Sequence, residues 1–177
     1  MKIETKRLTL RLANQNDISE IISFFKRNDD HLSPWSPEHP KNFFDREYWF
    51  DCIERYQKEF EKDVSLIICL FMKSGEFIGR CSFTKFERGP FQNCRLGYML
   101  DHEYEGKGLM TEALNALVPY VFNELNFHRI EANVIVSNTR SRKLLKNIGF
   151  SEHGVAEKYL KIDGKWQDHI LTSLIAE

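Results

Sequence analysis

The chain has 177 residues, 42% hydrophobic and 29% charged, which suits a single globular domain spanning 1–177 with a real core. Its 25 basic and 26 acidic residues leave a formal net charge of −1, so the balance excludes a protein built to coat nucleic acid or an anionic membrane. No apolar stretch resembles a signal peptide or is long enough to span a bilayer, which predicts a cytoplasmic protein. Cys52, Cys69, Cys81 and Cys94 form no close pair, and three of them sit in apolar strand-like runs where a thiol acts as a small hydrophobe. The six histidines are scattered as well, so neither a disulfide framework nor a metal site is expected.

Residues 7–12 alternate apolar and polar and read as a half-buried strand. Asp17, with Glu20 three residues on, forms a capping-box-like start, and Ile18, Ile21, Ile22 and Phe25 continue as a helical stripe. Three prolines, Trp35 and His39, with His31 just before them, then interrupt regular structure over 32–40, and an aromatic in such a loop is a candidate substrate contact. A second helix is expected over 44–61, with Trp49, Cys52, Ile53, Tyr56 and Phe60 on one face. Leu66–Met72 is a continuous apolar run suited to a central strand. Strands over 77–83 and 94–100 follow, separated by a turn at Arg88-Gly89-Pro90.

The most informative stretch is Gly106-Lys107-Gly108. It lies between the 94–100 strand and a helix expected over 109–125 that contains Pro119. Two glycines at a helix opening allow a tight turn that leaves N–H groups outward, and with the helix dipole these make a seat for phosphate. The same turn would also serve as a plain strand-to-helix connection. An alternating strand over 130–136, a short helix capped by Asn138 and closed by Gly149, and a hairpin turning at Asp163-Gly164 complete the chain. The order β-α-α-β-β-β-α-β-α-β-β is that of a mixed α/β (α+β) fold.

That order, the Gly106-x-Gly108 loop and Asn138-Thr139-Arg140-Ser141 together resemble the GNAT N-acetyltransferases, and the resemblance covers essentially the whole chain. Further segments resemble the RimJ branch of the ribosomal-protein N-terminal acetyltransferases. They are Thr5-Lys6-Arg7-Leu8-Thr9-Leu10-Arg11, His31-Leu32-Ser33-Pro34-Trp35, Arg88-Gly89-Pro90-Phe91, Gly106-Lys107-Gly108-Leu109-Met110-Thr111-Glu112-Ala113-Leu114, His128-Arg129-Ile130 and the hairpin Tyr159-Leu160-Lys161-Ile162-Asp163-Gly164-Lys165-Trp166-Gln167-Asp168-His169. The resemblance implies a mixed, mostly antiparallel sheet of about seven strands, splayed at its fourth and fifth strands and flanked by about four helices. It implies acetyl-CoA as acetyl donor, with no metal, and the N-terminal alanine of a ribosomal protein as acceptor, in a monomer or homodimer.

Residue by residue, the family pattern puts the pyrophosphate at Gly106, Lys107, Gly108, Leu109, Met110 and Thr111, and the pantetheine and thioester near Asn138 and Ser141. A backbone N–H around Met99 or Leu100 would polarise the carbonyl, and Ser141 would protonate the departing thiolate. Trp35 and Tyr159 are the candidate substrate contacts, and the basic face Arg140, Arg142, Lys143 and Lys146 is a candidate for the 3′-phosphate of CoA. Three places depart from the family: Glu103 stands where Arg or Gln is usual, and Arg95 and Leu160 stand where relatives carry a glutamate base. Glu131 is the remaining carboxylate that could face the cleft. A missing base suits an α-amine, which costs about 1.4 kcal/mol to deprotonate at pH 7 against about 4.6 kcal/mol for lysine. A small-amine acetyltransferase and a non-catalytic acetyl-CoA-binding module are the competing readings.

Overall fold

The computed structural model describes residues 1–177. Nine strands form one sheet: β1 (Lys2–Glu4), β2 (Leu8–Arg11), β3 (Leu66–Met72), β4 (Phe77–Glu87), β5 (Asn93–Leu100), β6 (Arg129–Glu131), β7 (Val134–Ile135), β8 (Ser151–Ile162) and β9 (Lys165–Ile175). Five helices accompany them: α1 (Ile18–Arg27), the single turn α2 (Asp29–Leu32), α3 (Arg46–Glu61), α4 (Leu109–Asn123) and α5 (Thr139–Ile148). The sheet order is β1-β2-β3-β4-β5-β6-β9-β7, with β8 on the other edge of β9. All pairings are antiparallel except β5 with β6.

The unbroken apolar run of β3 follows from burial on both faces. Leu66, Ile68 and Leu70 pack toward α4, whereas Cys69 and Phe71 pack toward α1 and α3 with Phe24, Phe25 and Trp49. All four cysteines are free and buried, and burial pushes the Cys69 and Cys94 thiols up to about 12 and Cys81 higher still.

Three local features differ from the expectations. Asp17 does not cap α1: its carboxylate takes both Arg11 Nη1 and Nη2 at 2.7 Å and the Asn14 N–H at 2.8 Å. Asn14 supplies the cap instead, accepting from Asn16 N at 2.9 Å at the head of a 3-10 turn, because the bidentate arginine from β2 claims the aspartate. The 130–136 strand breaks into β6 and β7, since Asn133 spends its side chain on Thr172 N and the Tyr159 hydroxyl rather than extending the ladder. The closing hairpin is longer than its alternation suggests, because β8 bulges twice and Lys158 there takes φ +48.

The splay that positions the site is visible in the register. β5 pairs with β6 only through Asn93, Cys94 and Arg95, after which the strands part. The upper half of β5 thus has one open edge, and α5 lies across the gap with Tyr98 Oη 3.4 Å from the Ser141 carbonyl.

Candidate active site

Beyond Leu100 the chain is anchored before it turns. Asp101 is fully buried, its N–H reaches Ile78 O at 2.8 Å, and its carboxylate takes Arg27 Nε at 2.6 Å, Asn28 Nδ2 at 2.9 Å and Glu103 N at 3.0 Å. Burial would raise its pKa, but these donors outweigh it and hold the carboxyl below its usual range. Gly106 (φ +69) and Gly108 (φ +71) then take left-handed conformations that side chains disfavour. The N–H groups of 106–111 donate to nothing else in the chain, so a run of free amides heads α4.

A second clamp comes from the far N-terminus. Glu112, one turn into α4, accepts from Thr5 Oγ1 and Arg7 N at 2.7 Å and from Arg7 Nε at 2.6 Å. Arg7 also donates Nη1 to the Lys107 carbonyl at 2.8 Å, gripping the loop between its two glycines. Lys107 itself turns its ammonium over the Tyr104 ring at 5.1 Å, outside the cleft wall.

The cleft below this loop has a volume of about 400 Å³. Met99, Leu100, Gly106, Gly108, Leu109, Met110 and Thr111 line one side, and Asn138 and Ser141 face them from α5. Trp35, 40% exposed, closes the outer end with Ser36. Tyr159 is not in this wall: its hydroxyl accepts from Asn133 Nδ2 at 3.0 Å and its ring leans on His169. Because Asp101 N bonds to Ile78 O, the ladder's alternation turns the Met99 amide toward Arg80 and the Tyr98 and Leu100 amides toward the cleft. Of the two strand residues named for carbonyl polarisation, Leu100 therefore has its donor on the correct side.

Asn138 caps α5 by accepting from Ser141 N at 3.1 Å, which leaves the Ser141 hydroxyl without a partner in the chain. Tyr98 brings a second hydroxyl to the same place, and burial pushes its phenol up to about 12, so it stays protonated. Glu131 is outside the cleft wall: it sits at the closed end of the splay between Arg95 at 3.7 Å and Arg129 at 3.3 Å. At the cleft mouth Glu105 is bonded by His31 Nε2 at 3.0 Å and by Arg140. Burial, then Arg140 and His102, lower the His31 pKa, so the ring is neutral at pH 7. Tyr98, His31, Glu105 and the Thr5–Arg7–Glu112 clamp carry no spacing signal that sequence reasoning could use.

Residues 7–151 match the family of acetyltransferase (GNAT) domains. The chain is 34% identical over 175 residues to the ribosomal protein uS5-alanine N-acetyltransferase of Escherichia coli K12, covering 98% of this chain and 90% of that protein. It is 33% identical over 174 residues to the probable N-acetyltransferase YjcK of Bacillus subtilis, covering 98% and 96%. Among solved structures, ribosomal-protein-S5-alanine acetyltransferase from Vibrio fischeri superposes with a TM-score of 0.94 at 36% identity, over 99% of this chain and 96% of that one. Mycobacterium smegmatis RimJ in complex with CoA-disulfide gives a TM-score of 0.92 at 26% identity, over 99% and 87%.

Proposed function

The chain belongs to the GNAT acetyltransferase family, and on that premise we propose that it transfers the acetyl group of acetyl-CoA to the N-terminal alanine α-amine of a ribosomal protein. The observation that carries the reading is the run of free amides at 106–111 opposite the unpartnered Ser141 hydroxyl, both in one cleft. The amides and the positive end of α4 hold the diphosphate. Leu109, Met110 and Thr111, with Asn138 across the gap, flank the arm that leads inward, and acetyl-CoA supplies the activated thioester. The Leu100 or Tyr98 amide, turned to the cleft, stabilises the carbonyl oxygen as it gains charge.

The amine nitrogen forms the new N–C bond, the C–S bond breaks, and the Ser141 hydroxyl hands its proton to the sulfur, with the Tyr98 phenol as a second donor beside it. The proton lost by the amine passes to water, and water returns one to the Ser141 oxygen, so that the hydroxyl is restored. Glu131 is held between two arginines, so no carboxylate base is assigned, in keeping with an α-amine that costs only about 1.4 kcal/mol to deprotonate at pH 7. The uS5-alanine acetyltransferases named among the relatives support the acceptor class. Trp35 and Ser36 bound the acceptor's approach, and the hairpin tip reaches the same loop through Asp163 N–H to Ser36 O at 3.3 Å.

Release of CoA thiol with short alanine-starting peptides tests this directly, against the same peptides N-terminally blocked but carrying a lysine. Turnover only with the free N-terminus is expected. Turnover of neither peptide while acetyl-CoA binds would overturn the acceptor assignment.

A further inference from the structure

Glu105 is an acid at the doorstep of an anion seat. It directly precedes the free amides of 106–111, and one carboxylate bridges both lips of the cleft. His31 Nε2, from α2, sits 3.0 Å from Oε1, and Arg140, on the first turn of α5, pairs with Oε2. All three side chains line the cleft. On the same helix Arg142 is already held by Glu152 at 3.1 and 3.2 Å, so Arg140 is the α5 guanidinium that faces the glycine loop.

We propose that Glu105 is a built-in competitor for the diphosphate of acetyl-CoA, and that Arg140 exchanges the Glu105 carboxylate for a phosphate when the cofactor docks. The inference rests on reading 106–111 as the diphosphate seat. A guanidinium pairs with carboxylate and phosphate by the same forked geometry, and a diphosphate bears more charge than one carboxylate. Arg140 is 62% exposed at its side chain while Glu105 is 26% exposed, so the mobile partner is the arginine and the fixed one is the acid beside the loop. Acetyl-CoA and the product CoA carry the same diphosphate. An acid that weakens both equally adds nothing to the chemical step but speeds product departure. Arg140 is on this account a positioning residue for the cofactor, and Glu105 sets its residence time.

Calorimetric titration of CoA into the parent protein, E105Q, R140Q and the double variant tests the exchange, with thermal melts to confirm folding. CoA should bind the parent. E105Q should tighten CoA by ~3–10-fold, from one like charge removed and one arginine freed. R140Q should weaken it by a similar ~3–10-fold, and the E105Q gain should shrink when Arg140 is already absent. Unchanged or weaker CoA binding in E105Q, or an equal gain in both backgrounds, overturns the exchange while leaving the seat intact. R140Q, altered at an exposed side chain, decides alone if E105Q does not fold: unchanged affinity in it overturns the proposal. A parent that binds no CoA overturns the seat itself, and the proposal with it.

Discussion

The two ends of the cleft are built from different materials. At the glycine-loop end, proposed above as the diphosphate seat, the groups on offer are backbone amides, and the chain around them is pinned by Asp101 beneath and by the Thr5–Arg7–Glu112 clamp above. At the end proposed for the acceptor the wall is made of side chains on a 3-10 turn and the residue that closes it, Trp35 and Ser36, tied to the hairpin tip by a backbone hydrogen bond of 3.3 Å. A backbone site tolerates almost any side chain provided the dihedrals hold. A side-chain site tolerates backbone drift but is rewritten by single substitutions, which is the arrangement expected where one fold keeps its cofactor and varies its acceptor.

The contrast makes ordered predictions. Ser141→Ala lies between the two ends, and should cut turnover by about 100-fold while leaving CoA affinity unchanged, the usual scale for losing a proton donor. Unchanged turnover would move the role to Tyr98. Gly108→Val forces a β-branched residue to φ +71, and should weaken acetyl-CoA binding by roughly 30-fold, corresponding to about 2 kcal/mol of backbone strain. Retained affinity in a calorimetric titration would mean that the loop does not use this conformation. Glu112→Gln keeps the volume but strips the charge that Arg7 answers, so the urea midpoint should fall by the equivalent of about 1–2 kcal/mol and acetyl-CoA should bind more weakly.

At the other end, Trp35→Ala should lower kcat/KM for an alanine peptide by roughly tenfold with CoA affinity intact. Tyr159→Phe, outside the cleft wall, should cost only the Asn133 hydrogen bond, about 1 kcal/mol of stability. A Trp35 variant that loses CoA binding instead would erase the distinction between the ends.

The smallest effect is in pH. His31, Asp101 and Glu112 cluster at the diphosphate end, and all three have lowered pKa values. Each therefore binds more protons unfolded than folded just below its ordinary value, so stability should decline as pH falls. The histidine's share is lost below its usual 6.5, and those of Glu112 and Asp101 below their usual 4.5 and 3.8. Urea midpoints at neutral, mildly acid and acid pH check this, and a midpoint that rises on acidification contradicts it.

What was legible in the chain follows the same division. Gly106, Gly108, Asn138 and Gly149 announce themselves because the backbone at those points demands a particular residue type. The long strands and helices carried their periodicity openly. The short β1, the break at Asn133 and the bulges of β8 did not, since each depends on a partner strand rather than on local pattern. Trp35 does line the cleft, in the proline-rich stretch that sequence reasoning singled out, whereas alternation in a bulged strand could not tell which way Tyr159 pointed. The Glu105–His31–Arg140 bridge joins three elements, so no window along the chain contains it.

The Thr5–Glu112 contact spans 107 positions. During synthesis the β1–β2 turn that grips the loop is made before it, and its partner carboxylate is added on the order of ten seconds later at ordinary elongation rates. The nascent chain thus makes one jaw of this clamp early and can close it only after α4 has emerged. The turn that carries Thr5 and Arg7 waits without its carboxylate partner until those intervening residues have been added.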